Sequence, residues 1–254
     1  MTKPAATPDP DWSSNRRQAL TQAISIGVAS GAYAISFGAI AVSAGLNIWQ
    51  TMALSLLMFT GASQFAFVGV IAAGGSPMTG AATAALLGSR NALYGLRVAP
   101  LLKVRGLRRL GAAQLVIDES TAMSVGHHSA RANRFGFYAT GLSVFVCWNT
   151  GTAAGALGAD LLKDPSVLGL DAAVAGAFIA LLGPQLRNRE SWAVAVCGAL
   201  VAVLSVPVVP PGIPVLLAAL VVVGFAFLPG RRPAVPPAPG SDPVDPVSDR
   251  EVGT

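Results

Sequence analysis

Charge is what this sequence has least of. Asp, Glu, Lys and Arg make up 11% of its 254 residues, against about 25% in an ordinary soluble domain. The shortage is concentrated: no charged residue occurs between positions 18 and 89, and none between 191 and 230. Both runs far exceed the ~20 apolar residues that one helix needs to cross a bilayer, so the chain must fold back within each. The short alternating segments of a β-barrel are also missing. With no water in the hydrocarbon core to satisfy its backbone, a non-barrel chain crosses as helix. The expected fold class is therefore all-α and polytopic.

Cysteine is scarce too. Cys147 and Cys197 each sit in an apolar stretch and read as small buried hydrophobes, not as a redox pair. His127 and His128 adjoin Arg131 in a basic segment, with no Cys or well-spaced acid to complete a metal site. That position also argues against an intramembrane Ser/His hydrolase, and no phosphate-binding loop occurs. No enzyme activity, metal or cofactor is expected. Residues 1–11 are polar and Pro-rich and lack the apolar core and cleavage site of a signal peptide, so the first helix is expected to serve as the insertion signal. Residues 1–18 and 230–254 read as disordered, bracketing a membrane domain over 19–229. The net charge of +5 suits anionic lipid headgroups, not nucleic acid.

Gly, Pro and charge clusters place crossings over 20–44, 49–73, 78–99, 135–162, 167–186, 192–209 and 213–228, about seven in all. Several prolines between 207 and 214 force the last turn. Cytoplasmic loops carry an excess of Lys and Arg. The segment 97–134 holds Arg97, Lys103, Arg105, Arg108, Arg109, Arg131 and Arg134 and is assigned to the cytoplasm. Onward from there the rule is obeyed, with Lys163 outside and Arg187, Arg189, Arg231 and Arg232 inside. Backward it is not, because three crossings put Arg16 and Arg17 outside. Either 111–125 enters the membrane, or the N-terminus is external; the larger central charge favours the second. The segments 34–64 and 144–185 share a pattern of small-residue helix, loop, helix and then Gly with Gln (Gly61 and Gln64; Gly183 and Gln185). This is compatible with two inverted three-helix repeats plus one extra helix, although shared composition accounts for it as well.

A few polar groups stand where a simple anchor would not put them. Gly61 permits a helix break, and Ser63 and Gln64 bring hydrogen-bonding groups into hydrocarbon. They line a cavity or pack a small-residue interface. Gly27, Gly31, Tyr33, Ser36 and Gly38 suggest a similar break in the first helix, or a packed contact. Arg90, Tyr94 and Arg97 share a face by their i, i+4, i+7 spacing. Arg97 snorkels to the surface, whereas Arg90 lies deeper, where an unpaired guanidinium is costly; it binds a substrate carboxylate or a structural partner, with Asp118 or Glu119 the obvious one. Those two neighbouring acids cannot both ionise cheaply in an apolar setting, which would suit proton coupling; a solvated acidic helix face is the alternative. Asn149 adds an intramembrane amide, for cavity or helix contact. Asp160, Lys163 and Asp164 suit an external interface, and Asp171 suits a helix start.

The segment Phe59-Thr60-Gly61-Ala62-Ser63-Gln64-Phe65 resembles the F-x-G-A-x-Q-F element of the AzlC family of branched-chain amino-acid permeases. Arg90-Asn91-Ala92-Leu93-Tyr94 resembles its third-helix motif, though Asn91 stands where the family pattern has a bulky residue or His. Asp118-Glu119 matches its acidic pair after the basic loop. The likeness runs from about residue 24 to residue 227. It implies a subunit of the inner (plasma) membrane that exports branched-chain amino acids, and often methionine, on the proton motive force. It also implies a small four-helix AzlD-like membrane partner. Set against that implication, the substrate-binding candidates are Gly61, Ser63, Gln64, Phe65, Arg90, Asn91, Tyr94 and Asn149, with Met58 and Phe59 bordering the side chain. Arg90 or a broken-helix N-terminus takes the carboxylate, Gln64 and free carbonyls take the ammonium, and Asp118 or Glu119 couples the proton. A channel or carrier for another small solute, or a non-transporting scaffold subunit, stays open.

Overall fold

The structure, a computed structural model, describes residues 12–125, 129–161, 188–210 and 212–226, together with positions 179, 182, 183 and 186. The expected crossing over 167–186, His127 and His128, Lys163, Asp164, Asp171, Gln185 and the C-terminal tail lie outside the described residues or almost wholly so. Within them the regular structure is entirely α-helical: α1 Trp12–Ser43, α2 Ile48–Leu57, α3 Ala62–Ala72, α4 Pro77–Leu102, α5 Leu107–Gln114, α6 Asp118–Met123, α7 Ala130–Leu161, α8 Arg189–Ser205 and α9 Ile213–Ala226. Among the described residues one helix, over Ser14–Ser43, combines the length and hydropathy of a membrane span; α2 and α3 are apolar but short.

The spine is the pair α1 and α7. A Cβ added at Gly38 would strike the Thr152 carbonyl oxygen, one at Gly151 the Gly31 oxygen, and one at Gly155 the Ile35 oxygen. Only glycine lets the two backbones approach so closely. This explains why α1 runs unbroken from Trp12 to Ser43: the glycines expected to interrupt it are covered by α7. Neighbours rise together along the two helices, from Trp12 with Phe135 (ring centroids 5.7 Å) through Gly27 with Ser143 and Gly31 with Cys147 to Gly38 with Thr152. The pair is therefore parallel. An inverted relation between the segments beginning at 34 and 144 would make these two helices antiparallel, so it does not hold for them.

The stretch expected as one crossing over 49–73 is two helices that run in opposite directions. Asn47 caps α2, exchanging bonds of 2.9 Å with Gln50. The helix stops at Leu57 and the chain reverses through Met58–Gly61, Gly61 taking φ +64°. Gln64 then donates from Nε2 to the Leu54 carbonyl at 3.0 Å, across ten positions of sequence. In a continuous helix those positions would be ~15 Å apart. Packing on both sides agrees. Along α2, Ser55 bonds Thr152 (3.1 Å) and Phe59 packs on Phe145 (5.1 Å), so α2 runs against α7. Ser63 lies at Gly88 and Phe67 at Gly80, so α3 runs against α4.

The basic segment 97–134 is more than a loop. Arg134 Nε donates to the Leu101 carbonyl (2.7 Å), which ties the end of α4 to the start of α7. From there α5 leads toward the first reversal, where Gln114 donates to the Leu56 carbonyl (2.8 Å). The chain turns at Leu115–Ile117, and buried Ser120 clamps the turn by accepting from Ile117 N–H (3.1 Å) and donating to the Leu115 carbonyl (2.6 Å). Then α6 returns along α7, where Gly141 leaves room for Leu115 and Ser120. The two reversals meet: Phe59 and Ile117 share one core cluster with Phe37, Phe65, Val144 and Trp148. Finally, α8 packs on α9, and Gly212 before α9 abuts Thr79 and Val70.

Candidate functional site

A cavity of about 260 Å³ lies where the two reversals meet. The first reversal contributes Phe59, Thr60, Gly61 and Ala62; the second contributes Ile117, Asp118 and Glu119; Arg90 enters from α4, and Tyr33 and Trp148 from the spine. The break supplies its own electrostatics. Backbone N–H groups in the first turn of a helix have no acceptor within it, and their dipoles favour negative charge. The first turn of α3 opens at Gly61 and Ala62 onto this cavity.

Arg90 and Asp118 form an ion pair, Nη1 to Oδ2 at 3.2 Å, with side chains 39% and 42% exposed. They are far enough from full burial for a ligand in the cavity to reach either. Of the two acids expected as partners of Arg90, Asp118 is the one engaged. Glu119 lines the same cavity and makes no ion pair among the described residues. Three donors around the cavity are buried and without a partner among the described residues: Arg90 Nε, the Tyr33 hydroxyl and Trp148 Nε1. Rings hold the latter two in place, with Tyr33 on Phe65 (5.1 Å) and Trp148 on Phe37 (6.2 Å).

The other sequence candidates divide. Gln64 is fully buried and does not line the cavity: Nε2 bonds Leu54, and Oε1 accepts from Gly61 N–H at 3.2 Å. Its amide fastens the break: Oε1 satisfies the Gly61 N–H that the reversal strands, and Nε2 adds a second donor to the Leu54 carbonyl, which already accepts from Met58 N–H. Ser63 is buried against α4 at Gly88, and Phe65 forms part of the aromatic floor. Tyr94 packs with the cluster of Val98, Leu102, Val116 and Phe137. Asn149 donates to the Phe145 carbonyl of its own helix (2.7 Å). Neither it nor Asn91 lines the cavity.

Trp148 and Ile117 are absent from the sequence candidates, and Tyr33 figures there only as part of a helix break. A signal existed for Trp148: tryptophans of membrane helices gather at the two interfaces, whereas this one falls mid-way along the stretch 135–162. On the other side of the break, α2 and α3 splay around a wider concavity of about 820 Å³, lined by Gln50, Leu57, Met58, Phe67 and Ile71 among others. None of its lining residues is charged, so the polar chemistry belongs to the smaller cavity. Thr60 lines both.

Comparison with known proteins agrees with this arrangement of motifs. The family model described as "AzlC protein" matches residues 25–162. An "Uncharacterized membrane protein" of Archaeoglobus fulgidus is 34% identical over 171 residues, covering 66% of this chain and 74% of that protein. No solved structure matches. The matched region spans α1 to α7 and contains every residue of the cavity, and on that ground the chain belongs to the AzlC family of membrane proteins.

Proposed function

We propose that this chain is the multi-pass subunit of an inner-membrane exporter of branched-chain amino acids and methionine, coupled to the proton motive force and working with a small AzlD-like subunit. The observation that carries the reading is the broken hairpin. It presents the first turn of α3 to a cavity that also holds the Arg90–Asp118 pair and a second carboxyl. A zwitterion needs one site for a carboxylate, one for an ammonium and an apolar pocket. The α3 N-terminus suits the first, the acids of α6 the second, and Phe59, Ile117 and Val144 the third. Because Asp118 is engaged by the Arg90 guanidinium, Glu119 is the carboxyl left to carry a proton.

The packing supports a revised topology. At 26 and 32 residues, α4 and α7 reach roughly 39 and 48 Å at 1.5 Å per residue, enough to cross. Since α2–α3 enters and leaves on one side, it is a re-entrant hairpin and not a crossing, and the count falls by one. Parallel α1 and α7 then start on the same face, and in this reading Arg16, Arg17 and the basic residues of 97–134 lie in the cytoplasm, while the turn at Leu115–Ile117 dips inward to meet the first reversal. With the crossing expected over 167–186, Arg189 follows, and Gly212 lies outside beside the start of α4. The charge rule is obeyed throughout, and the external N-terminus drawn from the sequence is not needed. Export of radiolabelled leucine, isoleucine, valine and methionine from cells with and without this chain and its partner tests the reading. Enhanced export dependent on both chains supports it; unchanged retention of all four refutes it.

A further inference from the structure

We infer that Trp148 and Tyr33 read the carboxylate of the transported solute, and so decide that the cavity takes amino acids in preference to amines and amides. This rests on the cavity being the transport site. Both residues line it. Trp148 is 5% exposed, and its indole Nε1 is a donor that cannot also accept; it has no partner among the described residues. The Tyr33 hydroxyl is in the same position. Buried donors are almost always paired, so two orphans on one cavity wall mark a place for an acceptor-rich group.

The orphans are also rigid. Trp148 packs on Tyr33, Phe37 and Phe65 at 6.1, 6.2 and 6.4 Å between centroids, and a Cβ built on Gly61 would meet its ring edge at 3.9 Å. The indole thus stands beside the first turn of α3, whose N–H groups favour the same anion. Donors held in place before binding lose little entropy on binding. Asp118 and Glu119 of α6 line the same cavity. The cavity therefore offers both donors and acids, and a zwitterion enters with its carboxylate toward Trp148 and Tyr33 and its ammonium toward α6. An amine or amino amide lacks the carboxylate and leaves the donors unsatisfied. A site built around hydrogen bonds discriminates strongly against the ligand that cannot make them.

Tyr33→Phe removes only the donor, whereas Trp148→Phe removes the donor and also shrinks the ring within the aromatic stack, so a packing control is needed beside it. In proteoliposomes holding the chain with its partner subunit, labelled leucine efflux is measured against competing leucine and leucinamide. Wild type is expected to prefer leucine. Trp148→Phe should raise KM for leucine about tenfold, the scale of losing a hydrogen bond to a charged group. Its kcat should stay within about twofold, and leucinamide inhibition should not change. Phe37→Leu, which disturbs the same ring stack without removing a donor, should lower thermal stability and keep the leucine preference. If Trp148→Phe and Tyr33→Phe both retain the wild-type preference, the rings only pack and the inference is overturned. Wild-type vesicles with no leucine-dependent efflux would overturn the transport reading itself, and the inference with it.

Discussion

Gln64 reaches back across the break in its own helical run to the carbonyl of Leu54, 3.0 Å away, while its amide oxygen accepts from Gly61 N–H. One buried amide thereby closes the reversal that separates α2 from α3. A helical run of this length would otherwise continue, since nothing in its apolar side chains prefers a turn. The hairpin exists because Gly61 takes a positive φ and Gln64 satisfies the backbone groups the turn exposes.

Gln64→Leu should therefore act on stability before it acts on transport. It leaves the half-buried Gly61 N–H without its acceptor and removes one of the two donors on the Leu54 carbonyl, at a cost of about 1 kcal/mol. Thermal unfolding in detergent is the check. A variant that melts like wild type but shows a raised KM for substrate would mean that the amide serves the solute and not the turn.

The ion pair gives a second expectation. Asp118→Asn leaves the Arg90 guanidinium without its charged partner (3.2 Å in the native chain), and it should lower leucine efflux about fivefold, the scale of a half-exposed ion pair. Asp118→Glu should recover part of the loss. Equal efflux from vesicles carrying the native chain and the Asp118→Asn variant would remove the pair from the mechanism.

Glu119 should separate coupling from binding. With Glu119→Gln, leucine efflux should no longer respond to an imposed pH gradient, while leucine–leucine exchange at equal pH continues. A variant with both acids replaced that still exports in proportion to the gradient would exclude the acid pair from proton transfer.

Tight backbone contact along the spine makes Gly38 intolerant of any side chain. A Cβ there meets the Thr152 carbonyl oxygen and the Ala156 nitrogen, so Gly38→Ala must push α1 from α7, with an overpacking cost of about 1–3 kcal/mol. Gly95, with nothing near its Cβ position, is the matched control: Gly95→Ala should leave the melting temperature unchanged or slightly higher. Similar losses for the two would mean that the α1–α7 approach is not the constraint.

The parts legible in the sequence were those written in local chemistry. The ends of α4 and the extent of α1 and α7 follow from Pro, Gly and charge, and the break at Gly61 from its glycine. The pairing of Arg90 with one of two acids follows from the cost of a lone guanidinium in hydrocarbon. What stayed hidden were the directions of the chain. A kinked crossing and a re-entrant hairpin have the same apolar content over 49–73, and only a contact such as Gln64 with Leu54 separates them. The consequence spreads, because counting that stretch as a crossing is what sets Arg16 and Arg17 opposite the basic segment, and the proposed topology does not need it. The helices α5 and α6, of 8 and 6 residues, are too short for a periodic signal and are masked by their basic neighbours. Gln64 illustrates a different limit: composition said that its amide must be satisfied, but not whether by solute or by backbone.

The central claim is that solute passes through the cavity between the two reversals. Ser30 lines that cavity from α1, so Ser30→Trp places a large ring in a space of about 260 Å³. Labelled leucine efflux from proteoliposomes carrying this variant and the partner subunit is the most direct measurement. The account predicts efflux at the level of empty vesicles, with a melting temperature close to that of the unaltered protein. Efflux at the wild-type rate with the cavity filled would contradict it.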